Sequence, residues 1–190
     1  MPPRQAASQS NELGGAARIA ALLATLANGP FEDAIAAARA QTGLTHGSKI
    51  ANDAAEFLAR LVFALLRGTD VEGAISDAAG ASYEELDLTE IRQRVEATRS
   101  LAIAAAAESL GLACPTPKAL PTILMLLDRC GDDFEKALIE NTMAGGDNAA
   151  RGLALGMILG ARAGKTGIPA RWIGGLEAAP RVESFLERLT

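Results

Sequence analysis

The stretch NTMAGGDNAARGLALGMILGARAG, residues 141–164, sets an acid directly behind two glycines. Gly145 and Gly146 can take positive φ and turn their backbone amides outward. The residues after Asp147 read as a helix, whose start carries a partial positive charge. Exposed amides and that charge together receive anions, phosphates included. Asp147 adds a hard carboxylate oxygen of the kind that Mg2+ or Ca2+ takes, and Asn148 adds an amide oxygen. The competing reading is that Asp147 only caps the helix by accepting from its first amides. One residue suffices for a cap, which leaves the paired glycines without a reason. Asp147 is therefore the candidate metal ligand, its carboxylate expected to face a cleft beside the turn. Gly145, Gly146 and Asn148 are the candidate ligand-binding residues. No residue is assigned a catalytic role.

The helix behind the turn must hold these groups still. Gly152, Gly156, Gly160 and Gly164 recur every fourth residue and fall on one ridge. The expectation is a ridge packed tightly in the core, with the helix start rigidly placed. The rest of the chain also repeats its apolar residues near 3.6. A first helix is expected over 12–26, stopped by Asn28-Gly29-Pro30, and a second over 31–41 with Gly43 at its end. Ser48 caps a long helix that Gly68 ends. Thr69 to Glu72 has the capping-box pattern and opens a short helix to Ala79. A long helix is expected over 89–110, and another with Pro121 in its first turn. Further helices are expected over 132–143, 168–176 and 180–189. FEDAI at Phe31, VEGAI at Val71 and FEKAL at Phe134 each read as a helix start. No segment reads as a strand. The expected fold is all-α, a compact multi-helix single domain over 11–190 behind a disordered segment 1–10.

Composition narrows the function classes. The formal net charge is −5, against a general nucleic-acid binder, which shows a basic face. No apolar run approaches the ~20 residues of a membrane span. Cys114 and Cys130 have neither metal-ligand nor framework spacing, as expected of free thiols in a cytoplasmic protein. His46 reads as a structural hydrogen-bonder and Trp172 as a packing anchor. The acid pairs Asp132-Asp133 and Glu84-Glu85 read as solvated. Oligomeric state is left open.

Four segments carry a family likeness. GGDNAARGLALGMILGARAGKTGIPARWIGGL resembles the final conserved block of the ADP-ribosylglycohydrolase family, where a Gly-Gly-Asp turn opens a small-residue helix and an Ile-Pro…Trp segment comes next. NELGGAARIAALLA resembles its Asn-Gly…Met-Arg-Ile-Ala segment. LTHGSKIANDAAEFLARLVFALLRG resembles its Thr-His segment and the long helix after it. ACPTPKALPTILMLLDRCGDDFEKALIENTMAGGD resembles the approach to the metal turn. The order also agrees, over about residues 11–176.

The resemblance implies an all-α fold around a magnesium site and hydrolysis of the bond joining ADP-ribose to a protein side chain or related acceptor. Metal-bound water and carboxylates would act at the anomeric carbon. It implies an ADP-ribose-type ligand, while the charge and the apolar pattern lead to the expectation of no nucleic acid and no membrane as partner. Two departures bear on this. The family's earlier Thr-Asp-Asp block supplies metal ligands, and this chain is expected to start beyond it, as a C-terminal portion or a shortened member. The family's turn continues Gly-Gly-Asp-Thr-Asp-Thr, whereas here the second acid falls on Ala149 and the last Thr on Ala150. Magnesium at Asp147 is accordingly expected to be weak, and hydrolysis poor or absent. The alternative is a non-catalytic helical binding or interaction module derived from that fold.

Overall fold

The computed structural model describes residues 7–188, and among them are twelve α-helices and no strand. Two isolated bridges, Ser8 with His46 and Glu12 with Pro115, are the only β pairings there. In chain order the helices are α1 (Gly14–Ala17), α2 (Ala20–Leu26), α3 (Phe31–Gly43), α4 (Lys49–Leu66), α5 (Val71–Ala79), α6 (Leu88–Glu96), α7 (Ile103–Leu110), α8 (Thr116–Cys130), α9 (Phe134–Met143), α10 (Asn148–Ala163), α11 (Ala170–Gly174) and α12 (Ala179–Leu186). A 3-10 turn, Lys165–Gly167, comes after α10.

One apolar core joins them, with α4 and α8 at its centre. Ser48 caps α4 by accepting the Ala51 amide. Phe57, Leu58, Leu61 and Val62 then bury α4 on nearly every side, against α3, α5, α10 and α1. Burial on nearly every side makes α4 an interior helix. It also carries two acids inward. Asp53, fully buried, accepts from the amides of Glu85 at 2.7 Å and Leu86 at 3.2 Å and from Arg39 at 3.2 Å. Glu56 takes Arg39 at 2.8 Å and Arg60 at 2.9 Å. This network fastens α3, α4 and the segment before α6, and no sequence pattern announced it.

Several expected boundaries move, each for an identifiable reason. The helix expected over 89–110 is two, because Arg129 of α8 donates to the carbonyls of Thr98 and Leu101, satisfying the chain where it turns. The helix expected over 12–26 also breaks, with Arg18 folded back onto the Gly14 carbonyl at 2.9 Å. Asp70, not Thr69, caps α5, accepting the Gly73 amide at 2.7 Å. Pro121 lies inside α8 rather than at its start. Proline has no amide hydrogen, so the Pro117 carbonyl loses its helical donor. Arg94 of α6 supplies one from Nη1 at 3.0 Å and also reaches the Leu110 carbonyl at 2.8 Å.

The glycine ridge is the largest correction. The buried face of α10 is Arg151, Ala154, Leu155, Ile158 and Leu159. A Cβ built on Gly156, Gly160 or Gly164 would meet nothing within 4 Å, and one on Gly152 only the Asn141 side chain. The ridge faces out. Fourfold spacing defines a stripe but not which side it takes, and the aliphatic stripe beside it took the core.

Neither α11 nor α12 buries a residue. They are held by the pairs Arg171–Glu135 and Lys165–Glu183 and by Trp172 against Phe134, centroids 6.1 Å apart. At the other end, Gly47 donates to the Ser8 carbonyl and Ser48 Oγ to that of Ser10. Residues 1–6 of the segment expected to be disordered lie outside the described residues. No helix among the described residues is long and apolar enough to cross a membrane.

Candidate functional site

The four residues singled out by the sequence form one turn between α9 and α10. Gly145 has φ +75° and Gly146 φ +62°, both left-handed. The Gly145 amide closes α9 on the Thr142 carbonyl at 3.1 Å. The Asp147 amide then reaches across to the Leu112 carbonyl at 2.8 Å, pinning the turn to the loop after α7. The pinning is close. A Cβ on Gly146 would lie 2.4 Å from the Leu112 oxygen and 2.5 Å from its Cβ, whereas one on Gly145 would meet nothing.

Arg151 holds the same turn from within. It is fully buried and the largest such side chain among the described residues. Its Nε donates to Asn141 Oδ1 at 3.1 Å, Nη1 to the Leu112 carbonyl at 3.1 Å and Nη2 to the Gly145 carbonyl at 2.6 Å. All three acceptors are neutral. Burial pushes the guanidinium below its ordinary range, and the charge of Asp147 opposes that shift.

Asp147 stands at the N-cap of α10, yet its side chain makes no capping bond. It lies near Cys114, whose thiol donates to Glu12 Oε1 at 3.5 Å. Glu12 first, then Asp147, then burial push the Cys114 thiol up from its ordinary range. The amides of Gly146, Ala149 and Ala150 have no partner among the described residues. Gly146 is exposed, and Gly145, Asp147 and Asn148 are half-buried. Chemically this is an open, uncapped helix start beside two left-handed glycines, a place where an anion meets backbone donors.

A cleft of about 1040 Å3 lies between α5, α6 and α8, with Val71, Ile75, Arg92, Leu127 and Lys136 on its walls. A smaller one runs along residues 79–89, and neither includes the turn. His46 is a structural partner, its Nδ1 2.8 Å from Thr45 Oγ1 and its ring where a Gly15 Cβ would stand. Both cysteines are unpaired. Among the described residues no group of three or more His, Cys, Asp or Glu side chains is placed to hold a metal ion.

Sequence reasoning missed Arg151, Asn141, Leu112, Glu12 and Cys114 as parts of this site. For Arg151 a signal existed, since it shares the aliphatic stripe of Ala154, Leu155 and Ile158. For Glu12 and Cys114 there was none. They meet only because residues 11–13 run beside 114–116, with Leu13 donating to Cys114 and Thr116 to Asn11.

Fold and turn together define a class: an all-α protein whose sixteen-residue helix opens at an uncapped Gly-Gly-Asp turn. The family model for ADP-ribosylglycohydrolase matches residues 1–190, and the chain belongs to that family. A search of curated proteins returned no match.

Proposed function

We propose that this chain is a family member that binds an ADP-ribose-type ligand at its Gly-Gly-Asp turn and hydrolyses ADP-ribosyl bonds weakly or not at all. The observation that carries the ligand half is the uncapped start of α10, with the amides of Gly146, Ala149 and Ala150 free. A diphosphate there meets those donors and the positive end of the helix. Asp147 opposes an anion set directly against it, but its side chain does not occupy the helix amides. The catalytic half fails on donors. Magnesium takes one or two carboxylates with several waters. The turn offers Asp147 and the Asn148 amide, then Ala149 and Ala150. We read this set as unfit for a resident magnesium. The two free thiols support a cytoplasmic setting.

The test is calorimetric titration of ADP-ribose with and without magnesium, beside an assay for ADP-ribose released from an ADP-ribosylated peptide. The expected result is saturable millimolar binding, indifferent to magnesium, with negligible release. Efficient magnesium-dependent release by the purified chain would overturn the catalytic half. No binding at millimolar ligand would overturn the ligand half and favour the second reading, an interaction module. One observation supports that reading: the outward stripe of α10, with Ala149, Leu153, Gly156 and Gly160, carries no polar side chain.

A further inference from the structure

The turn expected to hold a cation already contains one. Arg151 sits four residues behind Asp147, wholly buried, and touches the turn at the Gly145 carbonyl. It reaches the Leu112 carbonyl that also receives the Asp147 amide. No carboxylate lies within 4.0 Å of it among the described residues. A guanidinium taken out of water with only neutral acceptors is costly unless an opposite charge stands near. Asp147 is the acid placed beside it: it stands four residues earlier at the start of the same helix, its amide and Arg151 Nη1 meet on the one Leu112 oxygen at 2.8 and 3.1 Å, and its charge favours the guanidinium.

We infer that Arg151 is the resident cation of the Gly-Gly-Asp turn: its guanidinium is the counter-charge of Asp147 and orders the turn from inside, in place of a divalent ion. This goes beyond the ligand reading and holds whether or not ADP-ribose binds.

Three features fit the assignment together. Ala149 and Ala150 are where a metal would need further oxygens, and a turn ordered by Arg151 needs none. Asp147 leaves the helix amides uncapped, as a carboxylate does whose role is charge compensation. The fork of donors on Arg151 meets three acceptors from three separate segments, around 112, 141 and 145, which one lysine ammonium on a flexible stem does not hold in a fixed plane. A magnesium ion brought to Asp147 would find a single carboxylate with the positive charge of Arg151 behind it.

The experiment is a double-mutant cycle on the full 190-residue chain, without ADP-ribose, so its outcome is independent of the ligand reading. Thermal midpoints of the wild type, Asp147→Asn, Arg151→Met and the double variant are measured in chelator and in millimolar magnesium. The wild-type midpoint should be the same in both. Each single substitution should lower it by roughly 6–20 °C, and the double variant by clearly less than the sum. A midpoint raised several degrees by magnesium and returned by chelator would overturn the inference, as would strictly additive losses. Asn caps helices as well as Asp, so the loss in Asp147→Asn reports charge rather than capping. Should Arg151→Met fail to fold, Asp147→Asn alone decides: a lowered midpoint supports the counter-charge and an unchanged one refutes it.

Discussion

Two glycines precede Asp147, and the structure gives them unequal work. Replacing either by alanine forces a Cβ into left-handed backbone, which costs about 1–2 kcal/mol. At Gly145 that is the whole expense, because the new Cβ meets open space. At Gly146 the Cβ would stand 2.4 Å from the Leu112 carbonyl oxygen, a backbone atom that no rotamer change can move. The loop and the turn must part. The Leu112 oxygen then loses the Asp147 amide, a neutral bond of about 1 kcal/mol, and Arg151 Nη1, a charge-assisted one of about 1.5–3 kcal/mol. The sum for Gly146→Ala is about 5 kcal/mol, against about 1.5 kcal/mol for Gly145→Ala.

For a chain of this length the two costs correspond to midpoint losses of roughly 10–20 °C and 3–6 °C. Urea denaturation read by far-ultraviolet circular dichroism measures both, provided the slope with denaturant is unchanged. Equal losses in the two variants would show that close approach to Leu112 is not what demands the second glycine. A Gly146→Ala protein within about 1 kcal/mol of the wild type would refute the pinned turn altogether.

Individual contacts give three more expected outcomes. Arg94→Met should cost about 2 kcal/mol in a thermal scan, and less in a Pro121→Ala background, where the restored amide can serve the Pro117 carbonyl; equal costs in both backgrounds would refute that pairing. The raised pKa of Cys114 means that the fold favours the protonated thiol, so its contribution to stability is full below the ordinary thiol range and is lost as pH climbs through it. Alkylation by iodoacetamide near pH 8.5 should accordingly be slower than for a small free thiol and faster in Glu12→Gln, and no change in Glu12→Gln would show that Glu12 does not hold the proton. Gly156→Ala should raise stability by about 0.5–1 kcal/mol, since it removes a helix-interior glycine where a Cβ has room; a loss would return the ridge to the core.

Helix starts were legible because their causes are local. FEDAI, VEGAI and FEKAL do open α3, α5 and α9, the last two behind the capping acids Asp70 and Asp133. Where helices break was not legible, because the cause comes from a distant element. Nothing near Thr98 shows that Arg129, thirty-one residues on, will take its carbonyl. The inward turn of Asp53 was equally hidden, since its amide donors belong to Glu85 and Leu86. At the site, the turn itself was readable from Gly145, Gly146 and Asp147, whose residue types constrain the backbone directly. The surroundings of the Asp147 carboxylate were not, because Cys114 and Glu12 arrive through long-range pairing.

The same device recurs at several breaks in the helical pattern. Arg94 collects the carbonyls of Pro117 and Leu110, Arg129 those of Thr98 and Leu101, Arg162 that of Gly131, and Arg151 those of Leu112 and Gly145. A helix end leaves carbonyls without amides, and a planar guanidinium carries enough donors to answer two at once. Fourteen arginines against four lysines suit a chain of short helices with many such ends. Three of these guanidinium groups remain partly solvated, so their charge costs little. Arg151 alone is sealed from solvent, and so it alone requires an internal anion. That requirement falls on Asp147 and frees it from capping, which leaves the first amides of α10 open toward whatever anion the turn receives.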